Sequence, residues 1–472
     1  MKTGSAPPNH PVKSPDQTTG STSDGLPAPR RYWAALAILL AIGICVLDAA
    51  MVNVALPSIS TSLGVPAANA VWVVNAYGLT VAITLLPFAS MAERIGFKRL
   101  FRIGLATFMV GAIASAWATS IEALIVARIV QGLGASSIMC LFGGLMRHVY
   151  PLKLLSRGIA INAMNVAVTS VMGPTISSVI LTFADWRWVF VSPLPLVVLA
   201  ALVARHLPEV ATVKSRFDYK AALLSAVAIG LFVLGLDLLS KQPLNAILCL
   251  AAGVLIAAWV LRLSSGQTRP LVPVDLFRIA AVRSALAASV SSFAAQMATF
   301  VALPFYLYLT HGHEPMTVGL LMACWPLGAV IMAAVASRLA DRYEVSILCA
   351  IGAAAMASGS LLIFLLPTSV SMPWLMAAMM LGGLGFGFFQ TPNNRALLGA
   401  APRERAGAIG GLQAVTRVFG QTMGAALVAS GFAASAVWGP GIGLLIGTAF
   451  GVIALAVNVR RYRQSRIQTN PA

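Results

Sequence analysis

Residues 34–57, AALAILLAIGICVLDAAMVNVALP, form an apolar run whose only charged residue is Asp48. A transmembrane helix needs about 20 apolar residues to cross a hydrocarbon core about 30 Å thick. This run is long enough to span a membrane, and similar runs recur along the chain. We predict fourteen spans, numbered in chain order, at residues 33–56, 71–91, 100–119, 121–146, 158–182, 188–206, 219–239, 243–263, 283–308, 316–339, 345–366, 372–398, 406–431 and 436–459.

The composition supports lipid as the solvent of an all-α membrane protein. Of the 472 residues, 58% are hydrophobic and only 10% are charged, whereas roughly 25% are charged in a soluble domain. So few charges cannot cover the surface of a soluble protein of this length. The net charge of +18 would suggest nucleic acid in a soluble protein. Here the basic residues lie in short gaps between spans, which argues against a nucleic-acid partner.

The basic residues also predict the orientation of the chain. Lys and Arg are enriched in cytoplasmic loops. With the N-terminus inside, all but four of the 32 Lys and Arg residues fall in inside segments. The exceptions are Arg187 and Lys241 in outside gaps, and Arg128 and Arg417 within spans. We therefore predict a multi-pass protein of the cell (inner) membrane with both termini cytoplasmic.

A weak repeat predicts two related halves. Residues 89–94 (ASMAER) follow span 2, and residues 336–342 (ASRLADR) follow span 10. Repeated halves around a central site are a known transporter plan. We predict five segments: a disordered cytoplasmic tail at 1–29, an N-terminal six-helix bundle at 30–210, two inserted spans at 211–270, a C-terminal six-helix bundle at 271–460 and a cytoplasmic tail at 461–472.

Asp48 and Arg128 are the candidates for proton coupling. An acid deep in a span is costly unless it is paired, protonated or facing a cavity. At 1.5 Å per residue, Asp48 on span 1 and Arg128 on the antiparallel span 4 both fall in the outer half of the membrane. We predict that they pair or compete for one proton. The alternatives are a purely structural ion pair for Asp48 and an Arg128 that snorkels outward.

Other polar and aromatic residues within spans are candidates for lining a substrate cavity. Their helical positions alone do not say which of them face it. Arg417, in the middle of span 13, either neutralises a carboxylate, faces anionic substrate groups or has a structural role. The candidates are Asn53, Tyr77, Gln131, Gln296, Trp325 and Arg417.

Charged residues at the inner ends of spans 2 and 10 predict a gating latch. Such charges would pair across the halves in one state and separate in another; the plainer interpretation is positive-inside charge alone. The latch candidates are Glu93, Arg94, Gly96, Lys98, Asp341 and Arg342. Gly173 and Pro174 predict a hinge in span 5, because proline removes a helix hydrogen bond and kinks the helix. A passive kink is the alternative.

The sequence carries no constellation typical of an enzyme. It has no glycine-rich phosphate loop ending in Lys-Ser or Lys-Thr, so ATP is not the evident energy source. The five cysteines lack metal-ligand spacing and are interpreted as packing residues. His311, His313 and Glu314 are interpreted as a surface loop and not a metal site. We expect no cofactor and no metal, with the proton gradient as energy source.

Five motifs carry a family resemblance: residues 47–57 (LDAAMVNVALP), 72–77 (WVVNAY), 92–98 (AERIGFK), 128–134 (RIVQGLG) and 185–190 (DWRWVF). They resemble motifs of the fourteen-span drug:proton antiporter branch of the major facilitator superfamily. The third has Glu93 where Asp is usual, and the fourth resembles the motif linked to proton transfer. The resemblance implies the major facilitator fold, with two six-helix bundles plus two inserted helices. It also implies export of drug-like compounds against protons.

Two departures from that branch bear on antiport coupling and on the substrate, respectively. Thr169, Ser177 and Ser178 stand where glycine is usual in span 5, and no acid lies deep in spans 9–14. The second departure weakens a polycation substrate and leaves neutral or anionic substrates open. We predict a monomeric, proton-coupled efflux antiporter of small lipophilic compounds that works by alternating access. The alternatives are a transporter of a specific metabolite on the same scaffold and a non-transporting membrane sensor or scaffold.

Overall fold

The computed structural model of the chain is a bundle of long helices. It describes residues 25–210, 212, 219–239, 242–264, 274–340, 342–400, 406–435 and 437–469. The predicted tail at 1–29 therefore lies mostly outside the described residues. Because the helices alternate in direction and their number is even, both chain ends lie at the same end of the bundle, which we call the terminal end. The opposite end is the distal end.

The helices of the N-terminal half are Arg30–Leu63 (span 1), Ala67–Ala70, Trp72–Ile95 (span 2), Phe97–Ala116 (span 3), Ile121–Met139 with Phe142–Val149 (span 4), Leu152–Phe183 (span 5), and Arg187–Val191, Leu194–Val203 and the 3-10 turn Ala204–His206 (span 6). The inserted spans 7 and 8 are Tyr219–Leu238 and Pro243–Ser264. The C-terminal half contains Val274–Phe277, Ala280–Phe305 continued by the π-helical turn Tyr306–Thr310 (span 9), Pro315–Leu339 (span 10), Val345–Leu365 (span 11), Met372–Gly399 (span 12), Ala406–Ala434 (span 13) and Gly439–Thr469 (span 14).

All fourteen predicted spans correspond to helices. Thirteen of the helices found in the described ranges are long and apolar enough to cross a bilayer. The remaining one, Ala406–Ala434, has 29 residues, which is ample length, but it carries Gln413, Arg417 and Gln421. The all-helical, membrane-spanning fold class is therefore confirmed, and the span outside the set of thirteen is the one that holds Arg417.

Three helices run clearly further than predicted, and one of them, span 5, begins at Leu152 and not at residue 158. Span 1 continues beyond residue 56 through Pro57 to Leu63, where the Gly64 N–H donates to the Ser60 and Thr61 carbonyls and closes the helix end. It stops at Gly64, whose φ of 62° is left-handed. Span 14 remains helical through most of the predicted tail at 461–472.

Each half is held by contacts among its own spans, and two seams join the halves. In the N-terminal half, span 1 packs on span 5, and span 4 packs on spans 2 and 3; in the C-terminal half, span 9 packs on spans 13 and 14, and span 12 packs on spans 10 and 11. Between the halves, span 5 packs on span 10 along one seam, and span 2 packs on span 13 along the other.

The inserted spans cover the second seam. Span 7 pairs with span 8 and also contacts both span 2 and span 13. The indole Nε1 of Trp72 donates to Asp237 Oδ1 at 3.1 Å, and the rings of Phe232 and Phe419 pack with centroids 5.4 Å apart. Asp237 is buried, so it anchors the insertion to span 2. Span 7 thus touches both halves.

The hydrophobic core differs between the two ends of the bundle. Toward the distal end, buried side chains of both halves form one continuous cluster, including Leu56 of span 1, Leu321 of span 10 and Val428 of span 13. Toward the terminal end, the apolar residues divide into a cluster built mainly by the N-terminal half and a smaller one around Leu286 and Leu397 of the C-terminal half. The halves therefore share one cluster at the distal end, whereas toward the terminal end each half has its own cluster and Val418 of span 13 joins that of the N-terminal half.

Small residues on neighbouring helices compensate for the larger residues of span 5. A Cβ at Gly319 of span 10 would overlap the Ser178 side chain. A Cβ at Gly43 of span 1 would lie 3.3 Å from Thr169 Cγ2 and 3.2 Å from Asn165 Oδ1. The glycines that span 5 lacks at 169 and 178 are thus replaced by glycines on the helices it packs against, which keeps the close approach that small residues allow.

Gly319→Ala tests this exchange. The added methyl group forces spans 5 and 10 apart, and overpacking of this kind costs about 1–3 kcal/mol. We expect a lower midpoint of thermal unfolding in detergent, with partial recovery in the Gly319→Ala/Ser178→Gly double variant. Gly230→Ala is the control, because a Cβ at Gly230 meets no atom within 4 Å. Equal unfolding midpoints for Gly319→Ala and Gly230→Ala would show that the contact between spans 5 and 10 has room for the added methyl group.

Candidate functional site

Asp48 lies at the centre of a fully buried polar cluster between spans 1 and 4. Arg128 Nη1 donates to Asp48 Oδ2 at 2.7 Å, and Gln131 Nε2 donates to Asp48 Oδ1 at 2.9 Å. Arg128 Nη1 also donates to Gln131 Oε1 at 2.7 Å. The three side chains are at most 1% exposed. Both oxygens of the carboxylate therefore accept from span 4, and the predicted pairing of Asp48 with Arg128 is observed.

Arg128 has further partners that do not depend on Asp48. Its Nε donates to the Val73 carbonyl of span 2 at 3.2 Å. Its guanidinium carbon lies 4.2 Å from the ring centroid of Tyr77 and 5.7 Å from that of Phe190. An arginine over an aromatic face is attracted by the negative face of the ring. The cation therefore has an amide, a carbonyl and two rings to hold it when the Asp48 carboxylate changes its charge.

Gln131 belongs to this cluster and does not line an open cavity in the structure. The sequence placed it among the cavity candidates, but it is fully buried and bonded to both members of the ion pair. The reason is its spacing: residues three apart on a helix lie on the same face, so Gln131 follows Arg128 toward span 1. Tyr77 likewise lies against Arg128, and its hydroxyl donates to the Cys45 carbonyl at 3.5 Å.

Of the remaining cavity candidates, Asn53 and Trp325 are buried and Gln296 and Arg417 are partly exposed. Asn53 Nδ2 donates to the Ala49 carbonyl of its own helix at 2.8 Å. Trp325 is 0% exposed and packs on Gly382, with its ring 5.9 Å from that of Phe300. Gln296 and Arg417 are of intermediate exposure. Of the cavity candidates, these two are therefore the ones whose side chains are not fully buried.

The latch candidates lie at the terminal end of the bundle. Gly96 ends span 2 with φ 93°, a conformation that favours glycine. Lys98 pairs with Glu209, after span 6, at 3.3 Å. Glu93 and Arg342 are exposed, Arg94 ends span 2 with its side chain partly buried, and Asp341 lies outside the described residues. The latch stays a prediction, and the ion pair of Lys98 is formed within the N-terminal half.

The hinge candidates mark the point where span 5 is held between spans 1 and 10. A Cβ at Gly173 would overlap the Cβ of Ala50, and the Pro174 carbonyl faces Gly319. Ser177 Oγ donates to the Met51 carbonyl at 2.8 Å. Ala50 and Met51 follow Asp48 by two and three residues, so span 5 grips span 1 immediately beside the buried carboxylate. The hinge role itself stays a prediction.

Sequence reasoning missed a second buried polar network, in the C-terminal half. Arg461 Nη1 donates to Asn393 Oδ1 at 2.9 Å and to Asn458 Oδ1 at 3.0 Å. Asn393 Nδ2 in turn donates to Ser289 Oγ at 2.7 Å and to the Ala285 carbonyl at 3.2 Å. The network ties spans 9, 12 and 14 together. Asn393, an amide within an apolar span, was the available signal, whereas Arg461 was counted only as a cytoplasmic charge.

The sequence profile described as Major Facilitator Superfamily matches residues 38–425. The chain belongs to this superfamily. Its architecture of two helical halves agrees with this family, and the chain is a multi-pass membrane transporter.

Relatives within the superfamily are similar over most of their length. The chain is 38% identical to "Uncharacterized transporter YebQ" of Escherichia coli (strain K12), over 94% of this chain and 98% of the relative. It is 27% identical to "Riboflavin transporter RibZ" of Clostridioides difficile (strain 630), covering 86% and 89%. It is 29% identical to "Multidrug resistance protein Stp" of Mycobacterium tuberculosis (strain CDC 1551 / Oshkosh), covering 82% and 73%.

A solved major facilitator structure shows the same fold. The crystal structure of peptide transporter POT in complex with sulfate superposes with a TM-score of 0.69 at 17% identity, covering 92% of this chain and 94% of that one. At this identity the likeness concerns the fold alone.

The buried ion pair predicts a non-additive stability cycle. Removing one member of a buried pair leaves an uncompensated charge, at a cost of about 3–5 kcal/mol. We expect Arg128→Gln to lower the thermal unfolding midpoint strongly and Asp48→Asn/Arg128→Gln to recover at least half of the loss. The control is Arg187→Gln, which breaks a largely exposed pair with Asp185 and costs less than about 1 kcal/mol. Additive losses in the double variant would contradict direct pairing.

Proposed function

We propose that the protein exports small lipophilic compounds in exchange for protons, by alternating access, with Asp48 as the proton carrier. The observation that carries the proposal is the buried cluster of Asp48, Arg128 and Gln131. A carboxyl group deep in a membrane protein marks a functional site by default, because burial of the charge is costly. The multidrug and riboflavin transporters among its relatives agree with a small-molecule substrate.

Protonation of Asp48 removes the charge that holds span 1 to span 4. Arg128 then keeps Gln131, the Val73 carbonyl and the Tyr77 ring, so the cation is not left without partners. Span 1 is then held less strongly, because it loses its charge-assisted hydrogen bond to Arg128 of span 4. Proton binding thereby changes the relative stability of two arrangements of one helix, which is what coupling to a conformational change requires.

The packing beside Asp48 supplies a physical connection to the other half. Span 1 is gripped by span 5 at Ala50 and Met51, and span 5 packs on Gly319 of span 10 through Pro174 and Ser178. A shift of span 1 therefore acts on the seam between the halves. With both termini cytoplasmic, as we predict, the shared distal cluster is the closed outer side of the alternating-access cycle that we propose.

The second candidate is transport of one specific metabolite on the same scaffold. The relative named as a riboflavin transporter favours it, because that protein carries a single vitamin by its name. The two functions differ in breadth of substrate, and a panel of toxic dyes separates them. Wild-type protein that moves no dye favours the specific metabolite and removes the drug-export proposal.

Dye efflux from cells tests the coupling. We expect wild-type efflux to stop when a protonophore collapses the gradient, and Asp48→Asn at equal expression to reduce proton-driven efflux to the background of empty cells. Glu122→Gln is the matched control, because Glu122 is an exposed acid at the distal end of span 4; it should keep wild-type efflux. Equal pumping by wild type and Asp48→Asn would make Asp48 structural and the mechanism wrong.

A further inference from the structure

Arg417 is a cation in the middle of span 13 that no described residue neutralises. It forms no hydrogen bond or salt bridge within the described part of the chain. Arg417 lies on a helix that packs against span 2. Its side chain nevertheless stays partly exposed. An unpaired guanidinium at this depth is costly, so its exposed part needs a polar environment.

The helical faces of span 13 show where Arg417 points. Val418 packs with the core of the N-terminal half and Thr422 meets Gly78, so that face lies against span 2. Gly420 and Gly424 lie against Val290 and Ala294 of span 9.

Phe419 and Met423 face span 7. At 3.6 residues per turn, positions 417 and 421 project between the faces for spans 2 and 9. Arg417 therefore points toward the centre of the bundle and away from lipid.

Within the part of the chain that the structure describes, no acid provides Arg417 with a counter-charge. Of the 14 Asp and Glu residues, only Asp48 lies deep inside a span. Its two oxygens are already bonded to Arg128 and Gln131. The pair of Asp48 and Arg128 is neutral, so the centre of the bundle carries the single net positive charge of Arg417.

The surroundings of Arg417 suit an amphipathic molecule. Ala425 and Val428, two to three turns further along span 13, belong to the closed distal cluster, so Arg417 lies on the terminal side of the closure. Met297 and Phe300 of span 9 are partly buried and pack against that cluster. At 1.5 Å per residue, about 15 Å separates the level of Arg417 from that of Met297 along the parallel spans. The apolar side chains of Met297 and Phe300 thus lie on the distal side of the level of Arg417.

We propose that Arg417 binds the anionic group of the transported substrate, and that the substrate class is amphipathic organic anions with an apolar body directed toward Met297 and Phe300. The inference rests on the proposed transport function and adds the charge of the substrate. A carboxylate accepts two parallel N–H bonds from a guanidinium. The substrate thus supplies the counter-charge that the chain itself lacks.

A charge series of one aromatic probe tests the proposal. Purified full-length protein in phosphatidylcholine nanodiscs is titrated with 2-naphthoate, 2-naphthamide and 2-naphthylmethylammonium, and affinities are taken from the rise in the thermal unfolding midpoint. We expect naphthoate to bind at least about tenfold more tightly than the amide or the ammonium ion, as a charge-assisted bond implies. Equal binding of the three probes, or tighter binding of the ammonium ion, overturns the proposal.

Variants test whether the preference for the anion depends on Arg417. Arg417→Gln should weaken naphthoate at least about tenfold and leave the amide unchanged, whereas Arg417→Lys should keep the preference for the anion at lower affinity. Arg102→Gln removes an exposed arginine of span 3 and should bind like wild type. A retained anion preference in Arg417→Gln overturns the assignment. If that variant fails to fold, the wild-type series and Arg417→Lys decide.

The outcomes separate this proposal from the coupling proposal. Loss of proton-driven efflux in Asp48→Asn without any anion preference keeps the proton-coupled exporter and removes the anionic substrate class. An anion preference that depends on Arg417, together with normal efflux by Asp48→Asn, keeps the binding site and removes Asp48 as the proton carrier.

Discussion

The cost of placing charge in an apolar medium organises this protein. Asp48 and Arg128 are tolerated in the middle of the bundle because each neutralises the other and because Gln131, Val73 and Tyr77 satisfy the atoms that remain. Replacing such a pair by apolar residues is often neutral or stabilising, so fold stability alone does not call for it. A protein that keeps a titratable pair at this depth gains a group whose charge can change.

Close helix packing connects the charge of Asp48 to the contact between the two halves. Span 1 presents Asp48 to span 4 and Ala50 and Met51 to span 5, so one short segment faces both the charge and the seam. Span 5 has Thr169 and Ser178 where glycine is usual, and Gly43 of span 1 and Gly319 of span 10 face them. The close contacts of span 5 are therefore kept with the glycine on the other helix. What the packing requires is a small residue on one side of each contact, and which helix supplies it is free to vary. The missing glycines of span 5 therefore do not loosen the seam.

The fold could be predicted from the sequence because a bilayer permits few solutions: backbone polar groups must be satisfied within each helix, and the apolar runs mark the helices. The pairing of Asp48 with Arg128 followed from depth along two antiparallel spans. The place of Gln131 was available from its spacing to Arg128 and was missed. The direction of Arg417 was not available, since it depends on which helices flank span 13. The contact between Arg461 and Asn393 joins residues 68 apart on different spans, which no local pattern reveals.

The insertion between the halves makes the molecule asymmetric toward the lipid. Span 7 lies over the seam between spans 2 and 13, tied there by Trp72 and Asp237 and by the rings of Phe232 and Phe419. In the described part of the chain, the inserted pair makes no comparable contact with the seam between spans 5 and 10. A lipophilic molecule dissolved in the bilayer therefore meets a shielded flank and an unshielded flank. The flank where Ser178 meets Gly319 is the one that the inserted spans leave uncovered.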